Sequence, residues 1–291
     1  MKNSLAKDLH KILPKENVLL EFEERYVYSQ DATNLKDIKS VADAVVFVET
    51  IEEIQAIVKV ANKHKTPIIC RGAGTNVVGA CSVEHGGIIL NFSKMNKILE
   101  INRQNMTARV QAGVIVGELQ KRVEKLGLCY PPDPSNLAVS TIGGSIAQSS
   151  GGAKTFKYGS TKDYVIDMKV VMANGEVLQT GANTIKNATG YNLGSLFIGS
   201  EGTLGIVVEA TLKLIPKPET QRVLMAYFDE VEDSVRAVDA IIEQRVFPTT
   251  IDFMDKNAIQ TVEKFYPAGL LTEKESALVI EVDGFSTSVY Y

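Results

Sequence analysis

The 291-residue sequence has no tryptophan, three cysteines, three histidines and a net charge of only −4. Each scarcity excludes something. Cys70, Cys81 and Cys129 are an odd set without C-x-x-C spacing, so neither a disulfide framework nor a self-contained zinc or iron–sulfur site is expected, and no bound metal is expected. His10, His64 and His85 all lie in the first third of the chain. A mechanism with an imidazole base or a His-ligated metal must therefore draw on these three or on another chain. No apolar run reaches the roughly 18 residues of a membrane span, and "MKNSLAKDLHKILPKENVLL" lacks the apolar core and cleavage site of a signal peptide. A cytoplasmic protein without a membrane span is expected. A pI near 5.6 leaves no broad cationic surface for nucleic acid. What the chain does have is 45% hydrophobic residues and enough length for one large or two ordinary domains.

Periodicity divides it. Ser4 to Leu13 reads as a helix stopped by Pro14. "ADAVVFVET" reads as a buried strand running into a helix capped by Thr50, with Glu53 completing a capping box and Ile51, Ile54, Ile57, Val58 and Ala61 on one face. "TPIICR" is a second strand, giving a β-α-β unit. "GGIILNF", "KILEINR" and "MTARVQAG" are three further strands, and Gly117 to Gly127 is a helix with Leu119, Val123 and Leu126 on one side. Asn174-Gly175 marks a hairpin. Pro216 and Pro218 look like a boundary, beyond which strand and helix alternate afresh.

Three glycine-rich segments stand out. "RGAGTNVVGA" follows the strand "TPIIC" directly. Its G-x-G-x-x-x-x-G spacing is no dinucleotide fingerprint, since the last glycine is two places late and no acid lies near Leu90; without Gly-Lys-Ser/Thr it is no P-loop either. Consecutive main-chain N–H groups in such a turn nevertheless suit phosphate oxygens. In "STIGGSIAQSSGG", Thr141 or Ser140 can cap a short helix whose first turn, with Gly143 and Gly144, presents free N–H groups and a positive dipole end. A pyrophosphate held between two lysine-poor turns would suit both. The third segment, "IGSEGTLGIV", carries Gly199, Gly202 and Gly205 around Glu201, which is either a turn carboxylate or a brace bonding backbone N–H groups.

Together with "YPPDPSNLAVSTIGGSIAQSSGGAKTFKYGSTKDYVIDMKVVMANGEV" and "GYNLGSLFIGSEGTLGIVVEATLKLIPKP", these segments resemble the FAD-binding domain of the p-cresol methylhydroxylase and vanillyl-alcohol oxidase superfamily. The closer resemblance is to its FAD-linked 2-hydroxy-acid branch, the glycolate oxidase D-subunit and D-lactate dehydrogenase group. Order and spacing fit over roughly residues 40 to 218. The resemblance implies an α+β fold: a helical lead-in over 1–40, a two-subdomain FAD-binding PCMH-type domain over 41–218, and the start of an α+β cap domain over 219–291. It places the pyrophosphate on Arg71, Gly72, Ala73, Gly74, Thr75 and Asn76 and on Ile142, Gly143, Gly144 and Ser145. Asp133, Ser149, Gly152, Tyr158 and Gly159 would lie along the cofactor, and Gly202 to Ile206 near its adenine or ring end. The cofactor set also takes in Gly79, Ala80, Pro132, Thr141, Glu201 and Gly205. Some members tether flavin through a histidine in the first turn; this chain has Thr75 there, so noncovalent FAD is implied.

The implied reaction moves a hydride equivalent from C2 of a small 2-hydroxy acid to flavin, giving the 2-oxo acid. In the family the histidine and metal-binding part of that work lies in a C-terminal H-x-x-G-D-G-N-x-H-like segment, and no such pattern occurs in these 291 residues. The chain is accordingly expected to be C-terminally truncated, ending at "FSTSVYY" inside the cap. Its catalytic residues stay unassigned. Lys154, Lys157 and Lys162 either draw in a carboxylate substrate or are solvated surface lysines; Arg222 and Arg245 carry no assignment. An iron–sulfur or electron-transferring flavoprotein acceptor would be a separate subunit. Two alternatives compete with the oxidoreductase: a non-catalytic flavin-binding fragment or electron-transfer module, and a reductase of the cell-wall precursor type.

Overall fold

The computed structural model describes residues 2–33 and 40–285; the end of the chain from residue 286, where the truncation was expected to show, lies outside them. In chain order the elements begin α1 (Lys2–Leu9), β1 (Val18–Leu19), α2 (Phe22–Tyr28), β2 (Ala44–Phe47), α3 (Ile51–His64), β3 (Ile68–Arg71) and β4 (Ile88–Asn91). They continue through β5 (Ile98–Asn102), β6 (Thr107–Gln111), α4 (Val116–Glu124), β7 (Leu128–Cys129), α5 (Ile142–Gln148), α6 (Thr155–Tyr158), β8 (Val165–Val171) and β9 (Val177–Gln179). The last are α7 (Gly194–Phe197), β10 (Ile206–Lys213), β11 (Ile215–Pro216), β12 (Thr220–Phe228), α8 (Val231–Glu243), β13 (Thr250–Asp255), α9 (Lys256–Phe265) and β14 (Ser276–Gly284).

Two compact units interleave along the chain. The first takes residues 1–130, 136–150 and 161–215; the second takes 131–135, 151–160 and 216–291. The break at 215/216 falls beside the two prolines read from the sequence. The short segments 131–135 and 151–160 go with the C-terminal part, a division that a single cut along the sequence does not express.

The first unit holds a four-stranded and a five-stranded sheet. One has the order β1-β2-β4-β3, with β4 pairing in parallel with both β2 and β3 and β1 antiparallel at the edge. The expected β-α-β crossover is present, but β4 occupies the place between its two strands. The lead-in is therefore more than helical, since β1 extends this sheet. The other sheet is antiparallel, β5-β6-β10-β8-β9, so the three strands expected in succession divide between two sheets. Asn174-Gly175 makes the β8–β9 hairpin, with Gly175 at φ 84°.

Helix α3 explains how the sheets are joined. Thr50 accepts from the Glu53 amide while the Glu53 carboxylate accepts from the Thr50 amide, a reciprocal cap worth about 1 kcal/mol. The face so started buries Ile54, Ile57, Val58 and Ala61, the two isoleucines and the valine contributing roughly 1.5–3 kcal/mol each. The same core includes Leu5 and Leu9 of α1, Ile88 and Leu90 of β4, and Val171, Ile206 and Val208 of the second sheet. Helix α1 ends at Leu9 rather than Leu13, and α4 stops at Glu124; turn bonds carry α4's chain on to Gly127, at φ 73°. The second unit is an antiparallel sheet, β12-β14-β13, with α8 and α9 packed on it.

Candidate cofactor site

The three glycine segments converge in the first unit. A Cβ built on Gly72 would lie 2.2 Å from Thr141 Oγ1, so the first turn touches the start of α5. At the other end of α5, the Gly199 and Glu201 amides donate to the Ile146 and Ala147 carbonyls, each at 3.0 Å. Gly202, at φ 78°, closes the triangle: its Cβ would sit 3.4 Å from Cys70 Sγ, one residue before the first turn. Gly205 lets the chain pass Val170, whose Cγ1 would be 2.6 Å from an added Cβ, and Ile206 then begins β10 buried.

Within the first turn the hydrogen bonds divide sharply. Asn76 Oδ1 accepts from the Val78 and Ala80 amides, Thr33 Oγ1 from Gly79, and Asp31 Oδ2 from Cys81. The amides of Gly72, Ala73, Gly74, Thr75, Asn76 and Val77, by contrast, donate to no partner among the described residues. Unpaired main-chain donors in a row are costly unless water or a ligand takes them. Arg71 adds a cation beside them. Its Nη1 donates to the Gln30 carbonyl at 2.6 Å, its guanidinium lies 5.7 Å from the Tyr28 ring centroid, and it covers Gly74, where a Cβ would be 2.3 Å away. Asp31, Thr33, Tyr28 and Gln30 had no signal in the local pattern, because they act from some forty residues away.

At α5 the expectation of free donors fails. Thr141 is the cap, its Oγ1 accepting from Gly144. However, Ile142 N–H donates to Val114 O at 2.8 Å, Gly143 N–H to Ala112 O at 2.7 Å, and Ser145 N–H to Thr141 O at 2.9 Å. The β-bridge between Ile115 and Thr141 explains this, since it carries a strand-like pairing into the helix's first turn. What α5 leaves open is the Ser145 hydroxyl, buried and without a partner among the described residues. Ser149 ends the helix in the left-handed region at φ 48°. Glu201, at φ 54°, does not brace its turn: among the described residues its carboxylate accepts no amide, and α5's carbonyls do the bracing. Asn76 likewise offers its main chain, its side-chain oxygen being committed to the turn.

The remaining sequence-selected residues sit in the second unit. A Cβ on Gly152 would be 2.1 Å from the Asp133 carbonyl oxygen and 2.4 Å from its Oδ1, so only glycine admits this approach. Pro132 is buried beside it. Burial pushes the Asp133 carboxyl above its ordinary value, against the Lys154 amide that donates to it at 3.2 Å. The Tyr158 hydroxyl bonds to Asp283, and Gly159 is at φ 78°. Lys154 and Lys157 are not free solvated lysines, since they pair with Glu281 and Asp283; Lys162 is exposed. None of the histidines is placed in this machinery: His64 binds Asp8 at the end of α3, His10 follows α1, and His85 is exposed before β4.

An open row of amides, an adjacent guanidinium and an unpartnered buried hydroxyl, packed where glycine alone permits, fit the diphosphate and polar edge of a dinucleotide such as FAD. The comparisons agree. A family model described as "FAD binding domain" matches residues 42–181, and one for "FAD linked oxidases, C-terminal domain" matches 217–289. The chain is 45% identical over 260 residues to glycolate oxidase subunit GlcD of Bacillus subtilis (strain 168), covering 89% of this chain and 55% of that protein. It is 39% identical to D-lactate dehydrogenase of Anaerostipes hadrus, covering 85% and 53%. An alkyldihydroxyacetonephosphate synthase structure superposes with a TM-score of 0.87 at 25% identity, over 99% of this chain and 57% of that one. The chain spans about half the length of the curated relatives it matches. The fold and site thus define an FAD-binding flavoprotein. The chain carries a PCMH-type FAD-binding domain homologous to that of the glycolate oxidase D-subunit and D-lactate dehydrogenase family of FAD-linked oxidoreductases.

Proposed function

We propose that this chain supplies the FAD-holding part of an oxidoreductase that converts a 2-hydroxy acid of the glycolate or D-lactate type to its 2-oxo acid. The observation that carries the reading is the run of amides from Gly72 to Val77 that have no partner among the described residues; the similarity to a glycolate oxidase subunit and a D-lactate dehydrogenase supplies the substrate class. Bound FAD would supply the hydride-accepting centre. In this reading the amides of 72–77 hold the diphosphate, Arg71 offsets its charge, and the Ser145 hydroxyl gives a further hydrogen bond. Gly79, Ala80, Thr141 and Gly143 shape the cradle, while Ser149, Gly202, Gly205 and Ile206 position the third segment. Pro132, Asp133, Gly152, Tyr158 and Gly159 are the further residues that the family resemblance assigns to FAD.

FAD is held noncovalently. Thr75 has no nucleophile suited to a tether, and burial pushes the Cys70 thiol up to about 12 and the Cys81 thiol upward, so neither is a thiolate at neutral pH. The electron acceptor is a separate iron–sulfur or electron-transferring flavoprotein subunit, and the protein is cytoplasmic; no described helix is long and apolar enough to cross a membrane. A second reading, a flavin-binding module without catalysis of its own, is favoured by the histidines, none of which reaches the glycine segments.

Purified chain should be yellow or become so with FAD. Anaerobic glycolate or D-lactate should then bleach the visible absorption. Bleaching supports the oxidoreductase; a stable yellow protein that neither acid bleaches supports the module; a well-folded chain that refuses FAD overturns both.

A further inference from the structure

The single turn α6 sits in segment 151–160, which the sequence places among the cofactor motifs and the structure places in the second unit. Side chains fasten it to β14. Lys157 Nζ donates to Asp283 Oδ1 at 2.5 Å and to the Asp283 carbonyl at 2.7 Å. The Tyr158 hydroxyl lies 2.9 and 3.0 Å from the two oxygens of the same carboxylate. A third contact closes the group, with Lys157 Nζ 5.2 Å from the Tyr158 ring centroid. Two residues back along the strand, on the same face, Glu281 Oε1 lies 3.8 Å from Lys154 Nζ. Lysines three apart on one helical turn therefore meet acids two apart on one strand. Phe156 adds an apolar fastening, its ring stacked 6.2 Å from that of Phe247.

Asp283 is the centre of this arrangement. Its side chain is only 5% exposed, and both carboxylate oxygens are engaged by the segment. A buried carboxylate with this many partners is poorly replaced, because loss of its charge leaves the Lys157 ammonium without a counter-ion and one accepting oxygen too few for the lysine and the phenol. We infer that Asp283 is a positioning residue for the cofactor segment Gly151–Ser160: acting through Lys157 and Tyr158, with Glu281 and Lys154 as a second tie, β14 sets where Gly152, Tyr158 and Gly159 stand. The inference rests on the reading that this segment lies along FAD. It makes the C-terminal domain a determinant of cofactor affinity through residues distant from every glycine motif.

The test uses the full chain in four forms: wild type, Asp283→Asn, Lys157→Met, and the charge-exchanged pair Lys157→Glu with Asp283→Lys. FAD titrations should show affinity lower by about tenfold or more in each single variant, and recovery of most of the loss in the exchanged pair, which assigns the effect to the ion pair and not to either side chain alone. Amide hydrogen exchange without FAD supplies a readout independent of the cofactor. Residues 152–160 should exchange faster in both single variants while β12 and β13 keep their protection. Wild-type affinity and unchanged exchange in the single variants would overturn the inference and leave FAD binding intact. A wild-type chain that binds no FAD would overturn the cofactor reading instead, and the exchange data would still decide whether Asp283 holds the segment. Should Asp283→Asn fail to fold, Lys157→Met and Tyr158→Phe carry the same comparison.

Discussion

Replacing Gly72 by alanine tests whether the first turn and α5 touch as closely as the structure requires. The new Cβ would lie 2.2 Å from Thr141 Oγ1, 3.3 Å from its Cβ and 3.4 Å from its Cγ2. The first distance is impossible without movement; the others need only small adjustment. Overpacking of this kind costs about 1–3 kcal/mol, offset by roughly 0.4–1 kcal/mol because alanine restricts the unfolded chain. A net loss of about 1–2 kcal/mol is expected. Thr141→Ala alone removes the cap bond to Gly144 and costs about 1 kcal/mol. The pair should not add. With Oγ1 gone the main clash disappears, so the double variant should cost only about 1 kcal/mol, a coupling of about 1–2 kcal/mol where independent sites agree within about 0.5. Urea unfolding followed by far-UV circular dichroism reads this. With a slope of about 1–3 kcal/mol per molar, the Gly72→Ala midpoint should fall by roughly 0.5–1 M and the double variant should recover much of it. Gly127→Ala is the control, since nothing lies within 4 Å of its Cβ and only its positive φ of 73° opposes the change. Strictly additive losses for Gly72→Ala and Thr141→Ala would refute the contact.

Asn76→Ala removes the acceptor of the Val78 and Ala80 amides, so it should lower stability by about 1–2 kcal/mol and weaken FAD binding, as measured by melting and by titration. Gly152→Ala should weaken FAD binding too, because its Cβ cannot coexist with the Asp133 carbonyl; unchanged affinity would remove Asp133 and Gly152 from the cofactor set. Asp133 has a folded pKa raised by burial, so its ionised form opposes folding at neutral pH and the opposition vanishes as pH falls below the unfolded carboxylate value, about 3.9. Asp133→Asn, which keeps the acceptor for Lys154, should therefore be more stable than wild type at pH 7 and no more stable near pH 3. Asp31 has the opposite sign: although burial opposes it, hydrogen bonds from the Cys81 and Thr33 amides hold its carboxyl low. Its contribution is present above the unfolded value and lost as pH falls through the lowered one, so Asp31→Asn should narrow the acid-stability difference from wild type.

The sequence made legible what is local. Thr50 and Glu53 are three residues apart and announced the cap of α3, and Asn174-Gly175 announced its hairpin. Long-range pairing was not legible in the same way. Nothing near "GGIILNF" says that β4 inserts between β2 and β3, because parallel neighbours leave no shared turn. The donor inventory was half visible for the same reason. A glycine-rich turn predicts accessible amides in the first segment, where they are found, but Ala112 and Val114, which follow β6 and take up the amides of Gly143 and Ile142, lie some thirty residues away. Segment 151–160 is the extreme case. Its partners Glu281 and Asp283 are about 125 residues distant, and lysines in a glycine-rich loop look solvated until those acids are known to face them.

In the function proposed above, FAD's diphosphate is held by the main chain of residues 72–77. Amide NMR of uniformly 15N-labelled protein, titrated with FAD, tests it at the atoms concerned. The six signals from Gly72 to Val77 should move downfield together on binding and become protected from solvent exchange, while Gly143 and Ile142, already bonded to Ala112 and Val114, move little. Saturable FAD binding that leaves those six signals where they were would contradict it.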